Sequence, residues 1–217
     1  MSDGTTGSPA RGVRRVLGAG VGVLVLALVV LGWGVTTAGN RSGTPADDSA
    51  DAGFARDMAV HHQQAVEMSF IVRDRTDDED VRRLAYDIAN TQANQRGMLL
   101  GWLDLWDLSK VSGDGPMVWM AAGHAGHGGG GGSLMPGMAT AAQLEKLRKA
   151  DGKEAEILYL RLMTEHHRGG VTMARGCVRR CEVEDERRLA QGMVDAQESE
   201  MRLMADMLTE RGASPKA

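Results

Sequence analysis

The sequence predicts an all-α fold, a four-helix bundle built from two duplicated αα-hairpins and preceded by one N-terminal transmembrane helix. Three observations carry that reading. Sliding the chain against itself by 105 residues aligns Phe54–Trp106 with Tyr159–Arg211 without a gap, and about fifteen of about fifty pairs are identical, the mark of a duplicated structural unit. Within each copy, apolar and histidine positions recur at alternating spacings of four and three: Phe54, Met58, His61, Ala65, Met68, Val72 in one, and Tyr159, Met163, His166, Gly170, Met173, Cys177 in the other. That period places them on one stripe of a helix facing a core. Lastly, Val16–Val35 is an uncharged run, VLGAGVGVLVLALVVLGWGV, long enough to cross a bilayer.

In chain order, residues 1–15 form a cytoplasmic tail and 16–38 the membrane segment. Arg11, Arg14 and Arg15 precede the apolar run and the next charge is Arg41, so the positive-inside bias keeps the N-terminus in the cytoplasm and sends the rest outside. A signal peptide cut after Thr36-Thr37-Ala38 is the competing reading; the length of the run favours a retained anchor. Residues 39–50 are a polar linker. Residues 51–108 form the first hairpin, its second helix opened by Thr76-Asp77-Asp78-Glu79, where carboxylates suit the N-terminal dipole. Val81, Leu84, Ile88, Gln92 or Gln95, Leu99 and Trp102 continue an apolar face.

Residues 109–139 hold five consecutive glycines and are expected to be a mobile loop with no packed element. Residues 140–211 comprise a short helix opened by the capping-box pattern Thr140-Ala-Ala-Gln143, then the second hairpin, which starts at a similar signal, Asp151-Gly-Lys-Glu154, and turns at Glu182. Residues 212–217 are a tail.

Composition narrows the function. Twenty-nine acidic against 25 basic residues, a net charge of -4, exclude a general nucleic-acid binder. Two cysteines exclude a disulfide scaffold and a four-thiolate zinc site, and 4% aromatic residues argue against a β-sandwich. The anomaly is fourteen methionines, which bring soft thioethers.

All six histidines fall in close pairs: His61-His62, His166-His167 and His124-x-x-His127. His61 and His166 lie on the inward stripe with Met58 and Met68, and with Met163 and Met173; His62 and His167 stand about 100° round on the flank. Imidazole and thioether on one groove suit Cu(I), Cu(II) or Ag(I) better than oxygen-preferring cations. Both copies keep these residues while most other positions differ. Glu200, three after Gln197, is placed to orient His166 through its ring N–H; Gln95 holds the twin position, so the two halves are unequal. The loop adds Met117, Met120, His124, His127, Met135 and Met138 as a flexible set of soft donors. Cys177 and Cys181, four apart, read as small core residues first, then as a disulfide near the helix end, then as extra thiolate ligands.

Phe-x-x-x-Met-x-x-His-His-x-x-Ala-x-x-Met at 54–68, Met-Pro-Gly-Met at 135–138 and Met163-x-x-His166-His167-x-Gly169-Gly170-x-x-Met173-Ala174 resemble domain-of-unknown-function family 305, over about Asp51–Arg211. The resemblance implies an exported, ferritin-like four-helix bundle with copper binding among some members, the CopM type. The family's Gln-x-x-Glu-x-x-x-Met pattern fits Gln197, Glu200 and Met204; the first copy departs from it at Gln95 and Leu99.

The function expected from these residues is a membrane-anchored extracytoplasmic protein that binds copper or silver, with membrane and metal ion as its partners. The alternative is a metal-free structural or partner-binding bundle. No Glu-x-x-His for a di-metal oxidase and no Ser-His-Asp, Cys-His or phosphate-loop pattern occurs, so catalysis is not expected. A histidine-dominated site is expected to release metal near pH ~5, since free imidazole titrates near ~6.5 and thioethers do not titrate there.

Overall fold

Ser49 opens the first helix because its hydroxyl oxygen accepts from the Ala52 N–H at 3.1 Å, satisfying one of the orphan donors of a helix start. The computed structural model describes residues 43–113, 115–120 and 135–215, and among these it is entirely helical. Helix α1 is Ala50–Arg73, α2 Glu79–Leu105, α3 Ala141–Lys149, α4 Gly152–Arg180 and α5 Glu184–Glu210; Val118–Met120 adds one 3-10 turn. The expected membrane helix at 16–38 and the tail before it lie outside the described residues. No described helix is long and apolar enough to cross a membrane.

Cap chemistry explains the breaks. Asp78 accepts from the Val81 N–H at 2.9 Å to start α2, and Thr140 with Gln143 forms the expected reciprocal capping box on α3. At the start of α4 the expectation fails in detail. Asp151 occupies the N-cap position but makes no side-chain cap; its carboxylate lies 3.5 Å from Arg75 Nη1 instead.

The start of α5 has no capping side chain of its own either. There Asp51, from the first turn of α1, accepts from the Glu182 and Val183 N–H groups at 2.8–3.1 Å. Its counterpart 105 residues on, Glu156, accepts from Thr76 Oγ1 at 2.6 Å beside the turn between α1 and α2. Each hairpin thus uses an acid at the start of its first helix to hold the turn of the other, so α1 and α4 run antiparallel, with α2 and α5 packed on their own partners.

Four long helices share two apolar clusters stacked end to end. One contains Ala65, Met68, Val72, Val81, Leu84, Ile88, Tyr159, Met163, Met204 and Leu208; the other contains Phe54, Met58, Leu99, Leu103, Met173, Cys177, Ala190 and Met193. Fully burying side chains of this size is worth about 1.5–3 kcal/mol each. In every long helix the residues between the clusters are polar and buried: His61 and His62 in α1, Gln92 in α2, His166 and His167 in α4, Gln197 in α5. A polar layer therefore cuts the core at its middle.

One expectation needs correction, and one choice between alternatives is decided. Residues 109–139 are not unpacked throughout. Trp119 seats its indole against Gly53 and Phe54, Asp57 accepts from Met117 N–H and Trp119 Nε1–H at 2.7 and 2.8 Å, and Gln64 exchanges two hydrogen bonds with Ala139. Asp57 is buried in the process, which raises its carboxyl above the usual range despite those donors. Secondly, Cys177 and Cys181 are core residues and also a disulfide. Cys181 leaves the helix into extended backbone as the C-cap of α4, which brings the two Cα atoms to 4.8 Å.

Candidate metal centre

Four imidazoles fill the polar layer, and all four are buried. His61 and His166 meet where α1 and α4 cross, with ring centroids 3.8 Å apart. His62 and His167, expected on the flank of the stripe, are equally buried there. Each faces the second helix of its own hairpin, and that helix covers it.

One nitrogen of each ring is spoken for. His61 Nε2 donates to Pro136 O at 3.1 Å, His62 Nε2 to Gln95 Oε1 at 2.9 Å, His166 Nε2 to His61 O at 3.0 Å and His167 Nε2 to Glu200 Oε2 at 2.6 Å. Carbonyl and carboxylate oxygens only accept, so Nε2 carries the hydrogen, and in a neutral ring Nδ1 keeps its lone pair. All four Nδ1 atoms are buried without a hydrogen-bond partner. A buried acceptor without a donor costs about 1–3 kcal/mol, so four in one layer is a large deficit for a purely structural arrangement. A cation removes that part of the deficit that belongs to the rings it binds, and the fixed Nε2–H partner is the support that metal-bound histidines ordinarily have.

Burial sets the charge of the layer. It lowers His61 to about 4 and His62 to about 3, the latter helped by the neighbouring His61, and it holds His166 well below the usual imidazole range. These rings are neutral, and neutral imidazole is the form that coordinates.

Glu200 and Gln95 are twins by the 105-residue offset, and each supports the second histidine of its pair. The expectation that Glu200 orients His166 is therefore corrected to His167, which faces α5, whereas His166 faces α1. The duplication is broken at His61, whose ring donates to the Pro136 carbonyl where symmetry would put His166 O.

The methionines flank the layer. Met58 and Met173 lie in one apolar cluster, Met68 and Met163 in the other, all fully buried. Among the loop donors, Met135 is buried in the first of these clusters and Met117, Met120 and Met138 pack against it. His124 and His127 lie outside the described residues. Among the described residues the only three His, Cys, Asp or Glu donors that approach within 4.8 Å of one another are Cys177, Cys181 and Glu186. The four imidazoles thus do not converge on one point, and a metal in the layer would take one or two of them together with softer donors.

Three contributors were not recognised in the sequence. Gln64 and Asp57 hold the two loop segments onto α1, and Gly169 lets the Met135–Met138 turn reach the site. A Cβ on Gly169 would overlap the Pro136 carbonyl, and Gly137, at φ +76°, lies as closely over the Glu165 carbonyl. The Gly169-Gly170 doublet was the available signal; Gly170 in turn leaves room for the Gln197 amide. Gly169→Ala is expected to push the turn off α4, unpair His61 Nε2 and cost about 2 kcal/mol or more, read as a lower midpoint in thermal or urea unfolding.

A search of curated proteins finds no match. Among solved structures, a DUF305 protein of Streptomyces coelicolor inferred to be secreted is 70% identical, with a TM-score of 0.71 over 78% of this chain and 98% of its own. A DUF305 fragment from Deinococcus radiodurans is 27% identical, with a TM-score of 0.61 over 74% and 96%. CopM in its Cu(II)-bound form, at 23% identity and a TM-score of 0.56 over 74% and 96%, shares the fold. The family model for the domain of unknown function DUF305 matches residues 51–208, a span holding both hairpins and the whole histidine layer, and the chain belongs to that family.

Proposed function

We propose that this protein binds copper or silver outside the cytoplasm, through the histidine layer and the methionines beside it, and that it acts by binding rather than by catalysis. The observation that carries the reading is the set of four buried imidazoles, each with Nε2–H engaged and Nδ1 without a partner. His61, His62, His166 and His167 supply imidazole nitrogen, and Met58, Met68, Met163 and Met173 supply thioether; Glu200 supports His167. The loop donors His124, His127, Met117, Met120, Met135 and Met138 form a second, weaker set. CopM has been solved with Cu(II), Cu(I) and Ag, which supports this choice of cation.

The second reading is a metal-free bundle, structural or partner-binding, favoured by the lack of convergence of the four rings on one point. Equilibrating the purified protein with Cu(I) or Ag(I), against a competing chelator, decides between them. About one tightly held ion per chain is expected, and no ion retained after gel filtration would favour the metal-free bundle.

For location, the apolar run after Arg14-Arg15 supports export, either as a single-pass anchor or as a secreted form cut near Ala38. The Streptomyces coelicolor relative agrees with the secreted alternative. Mass spectrometry of the mature N-terminus separates the two.

A further inference from the structure

The second hairpin carries three ligand-type residues where the first carries two valines and a threonine. By the 105-residue offset, Cys177, Cys181 and Glu186 correspond to Val72, Thr76 and Val81. Val72 and Val81 are fully buried apolar side chains in their half. In the other half Cys177 lies in the last turn of α4, Cys181 caps it, and Glu186 sits in the first turn of α5. All three are buried, with donor atoms within 4.8 Å of one another. Cys177 stands ten residues beyond His167, about 15 Å along α4, so this cluster is separate from the histidine layer.

Both cysteines pack in the apolar core, but apolar packing does not call for an acid at Glu186. Both Glu186 carboxyl oxygens are buried, with the buried Asp51 carboxyl beside them, although a valine serves at the twin position. A disulfide spanning four residues closes too short a loop to constrain the unfolded chain strongly, and Asp51 already ties the same turn through the Glu182 and Val183 N–H groups. A buried acid beside a sulfur pair is what a metal site would require: two thiolates and one carboxylate, with a fourth position open.

We propose that reduction of the Cys177–Cys181 disulfide opens a second metal site, in which the two thiolates and the Glu186 carboxylate hold one thiophilic d10 cation of the Zn(II) or Cd(II) class. The reductant is a dithiol. Its thiolate attacks one cystine sulfur, the S–S bond breaks as a mixed disulfide forms, and its second thiol displaces the protein sulfur. Two electrons and two protons pass to Cys177 and Cys181, and the dithiol leaves as a disulfide. Cation binding then releases the two thiol protons and the proton of the Glu186 carboxyl to water. A disulfide oxidant runs the exchange in reverse: it takes up the two electrons and leaves as a dithiol, the Cys177–Cys181 bond re-forms and the ion is expelled, so occupancy follows redox state.

Cd(II) is the probe, because its bond to thiolate gives a charge-transfer absorption in the ultraviolet that histidine and methionine ligands do not produce. After treatment of the whole protein with a phosphine reductant, two titratable thiols, an unchanged helical spectrum, one equivalent of Cd(II) and that absorption are expected. The oxidised protein should show no such band. Glu186→Gln should keep the fold and weaken Cd(II) by about tenfold or more. The double variant Cys177→Val, Cys181→Thr, which copies the first hairpin, should stay folded and give no band. Two free thiols in a folded protein without the band, Cd(II) affinity unchanged in Glu186→Gln, or a disulfide that is reduced only when the bundle unfolds would each overturn the proposal. None of these outcomes depends on copper binding by the histidine layer.

Discussion

Replacing His61 and His166 together by glutamine is expected to leave a folded helical protein and to weaken Cu(I) or Ag(I) by more than about a hundredfold. Loss of an outer-shell partner alone typically costs 10–100-fold in metal affinity, and here two nitrogen donors are removed at the crossing of α1 and α4. Glutamine is preferable to alanine because the Pro136 and His61 carbonyls lose their donors when the rings go, and an amide N–H can still reach them. Truncating all four buried rings to alanine would add cavities to unpaired acceptors, a loss comparable with the whole stability of a domain this size. Glu200→Gln, which leaves the His167 ring with a neutral partner, should fall between wild type and the double variant. Chelator competition at fixed pH measures all three. Affinity unchanged in the double variant, with loss on substitution of Met117, Met120, Met135 and Met138, would move the site to the loop.

The second large effect is on stability against pH in the metal-free protein. His61 is lowered to about 4 and His62 to about 3 by burial, and His166 well below its usual value, against ~6.5 in an unfolded chain. Below that value the unfolded state binds more protons than the folded one, so this contribution is fully present above pH ~6.5 and is lost as pH falls through the folded values. The total is on the order of several kcal/mol, enough to unfold a domain of ordinary stability. Glu186 acts in the opposite sense. Burial and the nearby Asp51 raise it to about 9, so its contribution is greatest below its ordinary 4.5 and falls as pH rises through 9. Two or more histidines outweigh one glutamate on the acid side, which places the stability maximum near pH ~6.5 with a steep acid limb and a shallow alkaline one. Urea unfolding at a series of pH values tests this. Glu186→Gln should flatten the alkaline limb, and a flat acid limb in wild type would show that the rings are not held neutral by burial.

The same burial changes what acid does to a bound ion. Release near pH ~5 is the behaviour of an exposed imidazole. Rings held neutral to about 4 and 3 keep their ligand form at that pH, so retention of metal there does not distinguish thioether from imidazole coordination in this fold.

Most of the architecture was legible because it depends on local and repetitive information. The spacing of Phe54, Met58, His61, Ala65, Met68 and Val72 needs only helical geometry to define a buried stripe, and every one of them is buried. Thr140 with Gln143 specifies its own helix start within four residues. The 105-residue offset exposed the duplication, and with it the equivalence of Gln95 and Glu200.

What only the tertiary structure decided are the contacts between segments far apart in sequence. A helical wheel puts His62 and His167 on the flank of a stripe, and only the docking of α2 and α5 shows that the flank is buried and that Glu200 belongs to His167 rather than His166. The Gly-rich stretch reads as unpacked because its own residues cannot form an element, yet Gln64, Asp57 and the bare face of Gly169 bind its ends to α1 and α4. Asp51 looks like part of its own helix start and instead supplies the cap of α5, 131 residues away. Helical period and capping are properties of neighbouring residues, and the sequence determines them alone. The partner of a buried hydrogen bond is set by which helices pack together, so the four open Nδ1 atoms of the histidine layer became visible only in the assembled bundle.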